Sequence, residues 1–362
     1  MKLGEGDVKE AWRVVQGWYQ DVEDRGPTPC QESMTRQTKD REELYTKVEP
    51  PGEPIPINVK PYSISDETPG DSELRDVVQG MRNGRAGGLS GIRAEHMKEW
   101  LAGMREEDEL GTEGKGDRWR AFAKLIQTIW DEGCIPQQMC WMIVIFIPKV
   151  GGNYCGIGLL EPFWKVIEIL LDRRLKVIDF HNSLHGFLQG RGCGTTTMEA
   201  KLVQQFAYLE QQALYGVFVD LKKAYDAMDR ERCIELLKEY GVGPRMMPMI
   251  IFFWDDAMMV CRATGNYGEP FQGFRGVTQG RPLSPLIFNI MVDAIVREWL
   301  RQVLVDRAAK EGYGDEVNLF LAIFYADDVF IAARDPERLQ QTLDILVGLF
   351  ERVGLRTNTT KT

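Results

Sequence analysis

The sequence predicts an α+β fold. Short apolar runs of strand length occur at Met142 to Ile147, Tyr215 to Val219, Leu319 to Tyr325 and Val329 to Ala333. Helical stripes stand among them without the regular strand–helix alternation of a doubly wound sheet. The last two runs are separated only by Ala326-Asp327-Asp328, which predicts a hairpin with acidic residues at its tip.

Along the chain, Val8 to Tyr19 reads as a short amphipathic helix. The proline-rich, charged stretch that follows defeats both helix and sheet, so residues 1–70 are expected to be a weakly ordered lead-in. Residues 71–140 are expected to be a helical extension. One helix runs from Asp71 to Met81, a second starts at Arg93, residues 103–117 form a charged surface loop, and a third helix spans Trp119 to Trp130. Residues 141–362 hold the strong patterns. Met142 to Ile147 and Tyr215 to Val219 read as buried strands. Asp229 caps a helix with Cys233, Leu236, Leu237 and Tyr240 on one face, and Gly241 ends it. A long helix covers Leu286 to Val305. Asp335 and Pro336 then open a helix striped by Leu339, Leu343, Leu346 and Phe350, which stops at Gly354.

Composition narrows the class. The 362 residues are 44% hydrophobic and 27% charged, a globular profile. No apolar run reaches the roughly 18 residues that a helical membrane span needs, so no membrane is expected. Seven scattered cysteines without a C-x-x-C pair, and three histidines, argue against structural zinc and for a reducing intracellular compartment. The net charge of −10 looks unsuited to nucleic acid, yet the acidity is confined to residues 1–117, and the remainder is nearly balanced.

Two acidic positions follow apolar strands directly: Asp220 after Val219, and Asp327-Asp328 after Ala326. Carboxylates brought together at a sheet rim repel one another unless cations sit among them. Two divalent ions bridged in this way are machinery for in-line phosphoryl transfer, and Mg²⁺ suits a site of few carboxylates, water and substrate phosphates. Taken singly, each position reads equally as an ordinary turn after a strand.

The surrounding residues add order. Asp220-Leu221-Lys222-Lys223-Ala224-Tyr225-Asp226 comes first, then Gly276-Val277-Thr278-Gln279-Gly280-Arg281-Pro282-Leu283-Ser284-Pro285-Leu286-Ile287-Phe288-Asn289, then Phe324-Tyr325-Ala326-Asp327-Asp328. Flanking blocks are Val144-Ile145-Phe146-Ile147-Pro148-Lys149, Gly186-Phe187-Leu188-Gln189-Gly190-Arg191-Gly192 and Gly354-Leu355-Arg356-Thr357-Asn358 with Lys361-Thr362. Together they resemble the reverse transcriptases of non-LTR (LINE-type) retrotransposons, from about Cys140 to the end. The resemblance implies a right-hand polymerase: fingers and an antiparallel palm sheet over residues 141–362, with the thumb expected to be missing.

It also implies roles. Asp220 and Asp327 would hold two Mg²⁺ ions (Mn²⁺ as a substitute), Asp328 would support them, and the Leu221 carbonyl would help on the nucleotide side. Tyr225 would exclude the 2′-hydroxyl, while Gln279 and Gly280 would contact the nucleotide. Lys149 and Arg191 would reach phosphate or template, and Lys361 would serve the pyrophosphate. Phe163, Trp164 and Phe187 read as core packing rather than base stacking. The implied substrates are template RNA, primer DNA and dNTPs, and the implied location is the nucleus. One departure stands out: Cys155 follows Tyr154 where the family carries a triphosphate-gripping arginine. A lost charged hydrogen bond there weakens nucleotide binding by about 1.5–3 kcal/mol. The alternative is therefore a catalytically inactive relic that keeps the fold and binds nucleic acid.

Overall fold

The computed structural model of the chain describes residues 53–362 apart from 58, 112, 137–138, 149–153, 264–265, 274 and 312–320. The expected Val8 to Tyr19 helix, the Lys149 position and the start of the Leu319 run lie outside the described residues. No helix among the described residues is long and apolar enough to cross a membrane.

Three helices come first: α1 (Asp71–Gly80), α2 (Ala94–Leu110) and α3 (Asp117–Glu132). The periodicity of α3 buries Trp119, Phe122, Ile126, Ile129 and Trp130, and Gly133 at φ 62° stops it. The loop expected over 103–117 is mostly helix. Nothing between Met104 and Leu110 breaks an α-helix, and the stop comes only at Gly111, in the left-handed region at φ 66°. Residues ahead of α1 run along the body: the Tyr62 ring stacks on Tyr240 at 6.1 Å, and Asp66 accepts from the Met246 backbone N–H at 2.8 Å.

The first sheet contains β1 (Trp141–Pro148), β2 (Tyr154–Leu160), β4 (Met258–Ala263), β5 (Asn266–Tyr267) and β6 (Phe271–Gln272). Its order is β2-β1-β4-β5, with β6 also on β4; the β1–β4 pair is parallel and the others antiparallel. Between β2 and β4 come α4 (Pro162–Leu175), α5 (Cys193–Leu209), β3 (Tyr215–Asp220), α6 (Ala224–Ala227), α7 (Arg230–Glu239) and α8 (Met246–Asp256). After β6 follow α9 (Ser284–Glu311), β7 (Leu321–Tyr325), β8 (Asp328–Ala333) and α10 (Pro336–Arg352). Asp229 and Asp335 cap α7 and α10 as expected, accepting from the backbone N–H of Arg232 at 3.0 Å and Arg338 at 2.8 Å.

The second sheet, in the order β3-β8-β7, is wholly antiparallel and rests on helices; α10 packs against both β8 and β3. Side chains alternate between the two faces of a strand, so the register sorts them. Val219 pairs with Val329, and these two are buried with Ile331 on the helix side. Phe218 pairs with Phe330 and Asp220 with Asp328 on the other side. The expectation that Tyr215 to Val219 is a buried strand fails here: β3 is an edge strand with one open face, and Phe218 is 73% exposed.

Candidate active site

The β3–β8 register sets Asp220 directly opposite Asp328. Residues opposite one another in an antiparallel pair project to the same face with Cβ atoms about 4.5–5.5 Å apart. Asp327 sits one residue away, in the two-residue loop that joins β7 to β8. The first loop residue, Ala326, has φ 53°, as the tight hairpin connections require, although glycine fits that region with less strain. Burial, then the neighbouring charges of Asp327 and Asp220, raise the Asp328 carboxyl above its ordinary value, with Lys361 opposing. Burial, then the Asp327 charge, raise the Tyr225 phenol. The three acids and Tyr225 thus form one electrostatic neighbourhood.

Asp220 is also held from the C-terminal segment. Its carbonyl accepts from the Asn358 N–H at 2.7 Å, and its Oδ2 accepts from the Asn358 side-chain amide at 2.7 Å. The Lys361 Nζ stands 3.6 Å from the same Oδ2. Leu221 is in a β-bridge to Thr357, and the Lys222 N–H donates to the Arg356 carbonyl at 2.8 Å. Lys223, at φ 47°, turns the chain so that Tyr225 lies in α6. The Tyr225 ring is 8% exposed and stacks on Phe288 of α9 at 4.5 Å.

Gln279 and Gly280 belong to a loop that ties β2 of the first sheet to α6. The Val277 N–H donates to the Tyr225 carbonyl at 2.7 Å, and the Gln279 carbonyl accepts from the Gly158 N–H of β2 at 2.8 Å. Gly280 has φ 95°, and a Cβ there would lie 2.6 Å from Ile157 Cγ2. Only glycine permits that approach.

Arg191 is hydrogen-bonded within the chain. Its guanidinium donates to the His181 and Leu184 carbonyls, both at 2.8 Å, and to Asn182 Oδ1 at 3.1 Å, so it holds the 180–184 turn. Trp164 is fully buried as expected, whereas Phe187 is 63% exposed with φ 59°; the packing expectation fails for it because the turn projects it outward. Lys149 and the Cys155 side chain lie outside the described residues. Sequence reasoning gave no role to Asn358 or Asn289. The latter donates to the Gly186 carbonyl at 2.8 Å, and Gly186 abuts Ala326 so closely that a Cβ would lie 2.5 Å from the Ala326 nitrogen. The polar identity of Asn289 within the apolar stretch Leu286 to Val292 was the available signal.

A sequence model of the family described as reverse transcriptase (RNA-dependent DNA polymerase) matches residues 147–362. The chain belongs to the reverse transcriptase family. It is 25% identical over 235 residues to the Pol polyprotein of the R2DM retrotransposable element of Drosophila melanogaster, covering 63% of this chain and 22% of that protein. It is 26% identical over 250 residues to the R2 element polyprotein of Nasonia vitripennis, covering 66% and 23%. The Xenopus laevis transposon TX1 149 kDa protein is 23% identical over 284 residues, covering 75% and 20%. These relatives agree with the non-LTR branch, and the chain spans about a fifth of their length. Among solved structures, a truncated apo telomerase from Candida tropicalis is similar at 14% identity and a TM-score of 0.46, over 68% of this chain and 54% of that one. Candida albicans telomerase is similar at 12% identity and 0.46, over 65% and 44%.

Enzymes of this family use divalent metal ions. The donor set is hard carboxylate oxygen, and Asp328 is raised by burial first and then by like charges, which a cation would relieve. Among the described residues, no group of three or more His, Cys, Asp or Glu side chains closes into a metal-holding cluster. The Asp220 carboxylate is instead engaged by Asn358 and Lys361.

Proposed function

We propose that residues 141–362 are the fingers and palm of an RNA-directed DNA polymerase that adds dNTPs to a primer 3′-hydroxyl on an RNA template. The observation that carries this reading is the Asp220–Asp328 register with Asp327 in the adjoining turn and Tyr225 beside it. Asp220 and Asp327 would hold two Mg²⁺ ions, with Asp328 and the Leu221 carbonyl in support. Such ions acidify an attacking hydroxyl and steady a leaving pyrophosphate.

The chain's own residues supply the remainder. Stacking on Phe288 fixes the Tyr225 ring as a wall under the incoming sugar, against which a 2′-hydroxyl has no room. The Gly280 backbone allows a nucleotide to approach closely. Lys361, which stands beside Asp220, would give a proton to departing pyrophosphate. Primer extension on a primed RNA template tests this: incorporation requires Mg²⁺ or Mn²⁺ and is lost in Asp327→Asn. Undiminished synthesis by that variant overturns the reading.

Cys155, in place of the family's arginine, supports a second reading: a relic that binds nucleic acid without polymerising. Filter binding beside primer extension separates the two, because binding without extension identifies the relic.

A further inference from the structure

An ion pair sealed in the interior joins the first sheet's helix to the nucleotide loop. Glu168 of α4 is 0% exposed and Arg281, next after Gly280, is 4% exposed. Glu168 Oε1 accepts from Arg281 Nε at 2.6 Å and from Trp164 Nε1 at 2.8 Å, and Arg281 Nη2 closes on the same oxygen. Glu168 Oε2 accepts from the Leu283 N–H at 3.4 Å. The Arg281 guanidinium lies 3.7 Å above the Phe253 ring, which is itself stacked on Trp164 at 4.7 Å.

We infer that Glu168 is a positioning residue for nucleotide addition, acting through Arg281 on Gln279 and Gly280. This deepens the polymerase reading and rests on it. Charges taken wholly out of water are held only where geometry and further hydrogen bonds compensate them, so such a pair has one favoured arrangement. Glu168 fixes Arg281 and Leu283 on one side of the loop. On the other side, the Gly158 N–H holds the Gln279 carbonyl, and the Ser284 hydroxyl donates to the Thr278 carbonyl at 2.8 Å. Gly280 is thereby kept at φ 95° against β2, in the conformation the nucleotide would meet. Glu168 and Arg281 act only through the loop; their effect is on where its backbone stands.

The test compares the wild-type chain with Glu168→Gln and with the double variant Glu168→Gln/Arg281→Met, which removes both buried charges and so guards against loss of the fold. Hydrogen exchange over residues 278–284 and steady-state incorporation are measured together. The expected result in the double variant is faster exchange in that loop with β3 and β8 unchanged. The KM for dNTP rises about tenfold, kcat changes less than threefold, and primer–template affinity is unaltered. Unchanged loop exchange overturns the inference, as does faster exchange with an unaltered KM. A wild-type chain that incorporates nothing overturns the polymerase reading instead, and the exchange result still decides whether Glu168 fixes the loop.

Discussion

Asn358 grips Asp220 twice, once through its backbone N–H to the Asp220 carbonyl and once through its side-chain amide to Oδ2, both at 2.7 Å. The backbone bond sets the end of β3 against the C-terminal segment, and the side-chain bond selects one carboxylate oxygen. The other oxygen keeps its acceptor capacity for a cation.

Asn358→Ala removes the side-chain bond and leaves the backbone bond in place. Hydrogen bonds to charged groups are worth about 1.5–3 kcal/mol, and the partial exposure of Asp220 sets the value near the lower end. The expected outcome is a small fall in Tm and at least a tenfold fall in primer extension. Asn358→Asp is worse than Asn358→Ala, because it sets a further negative charge on Asp220. Equal activity of the two variants would mean that Asn358 serves the fold alone.

The raised Asp328 carboxyl carries a pH dependence whose sign can be worked out. Burial first, then Asp327 and Asp220, favour its protonated form in the folded chain. The folded state therefore binds more protons than the unfolded state, and stability falls as pH rises from the ordinary aspartate range through the raised value. Above that window the penalty is fully present. Asp328→Asn should raise Tm at about pH 7 in chelator-containing buffer, and the gain should vanish at about pH 3. Thermal melts across that range check it, and a gain independent of pH would point to packing instead of charge.

Ala326 and Gly186 make opposite predictions from one contact. At φ 53°, Ala326 carries strain that glycine relieves, so Ala326→Gly should stabilise by about 0.5–1 kcal/mol after the added freedom of the unfolded chain is counted. Gly186→Ala forces a Cβ to within 2.5 Å of the Ala326 nitrogen, which is backbone and cannot swing aside. That variant should lose Tm and lose incorporation further, because the displaced turn carries Asp327. Urea melts and primer extension on the two variants give the comparison.

The elements that sequence reasoning identified are those written in local signals. Asp229 and Asp335 announce α7 and α10 by capping, and the Ala326-Asp327 turn announces the β7–β8 hairpin. What it missed depends on distant partners. β4 pairs in parallel with β1 across more than a hundred residues, and nothing in Met258 to Ala263 names that partner. The open face of β3 escaped for the same reason, since a run of apolar residues does not tell an edge strand from a central one. The three aspartates that the sheet register brings together were legible through their motifs. Glu168 lies outside every motif, and the contacts through which Asn358 and Asn289 act are tertiary and do not show in theirs.

Tyr225 offers a test that separates ring from hydroxyl. Its ring stacks on Phe288, and its hydroxyl is buried without a hydrogen-bond partner among the described residues. An unsatisfied buried hydroxyl costs about 1–3 kcal/mol, so Tyr225→Phe should hold or raise Tm. If the ring is what excludes the ribose 2′-hydroxyl, Tyr225→Phe keeps the preference for dNTPs. Tyr225→Val opens space beneath the sugar and should raise rNTP incorporation relative to dNTP by at least tenfold. It should also lower Tm, because the Phe288 contact is lost. Relative kcat/KM for matched dNTP and rNTP substrates measures the discrimination; retained selectivity in Tyr225→Val would place the discriminating group elsewhere in the site.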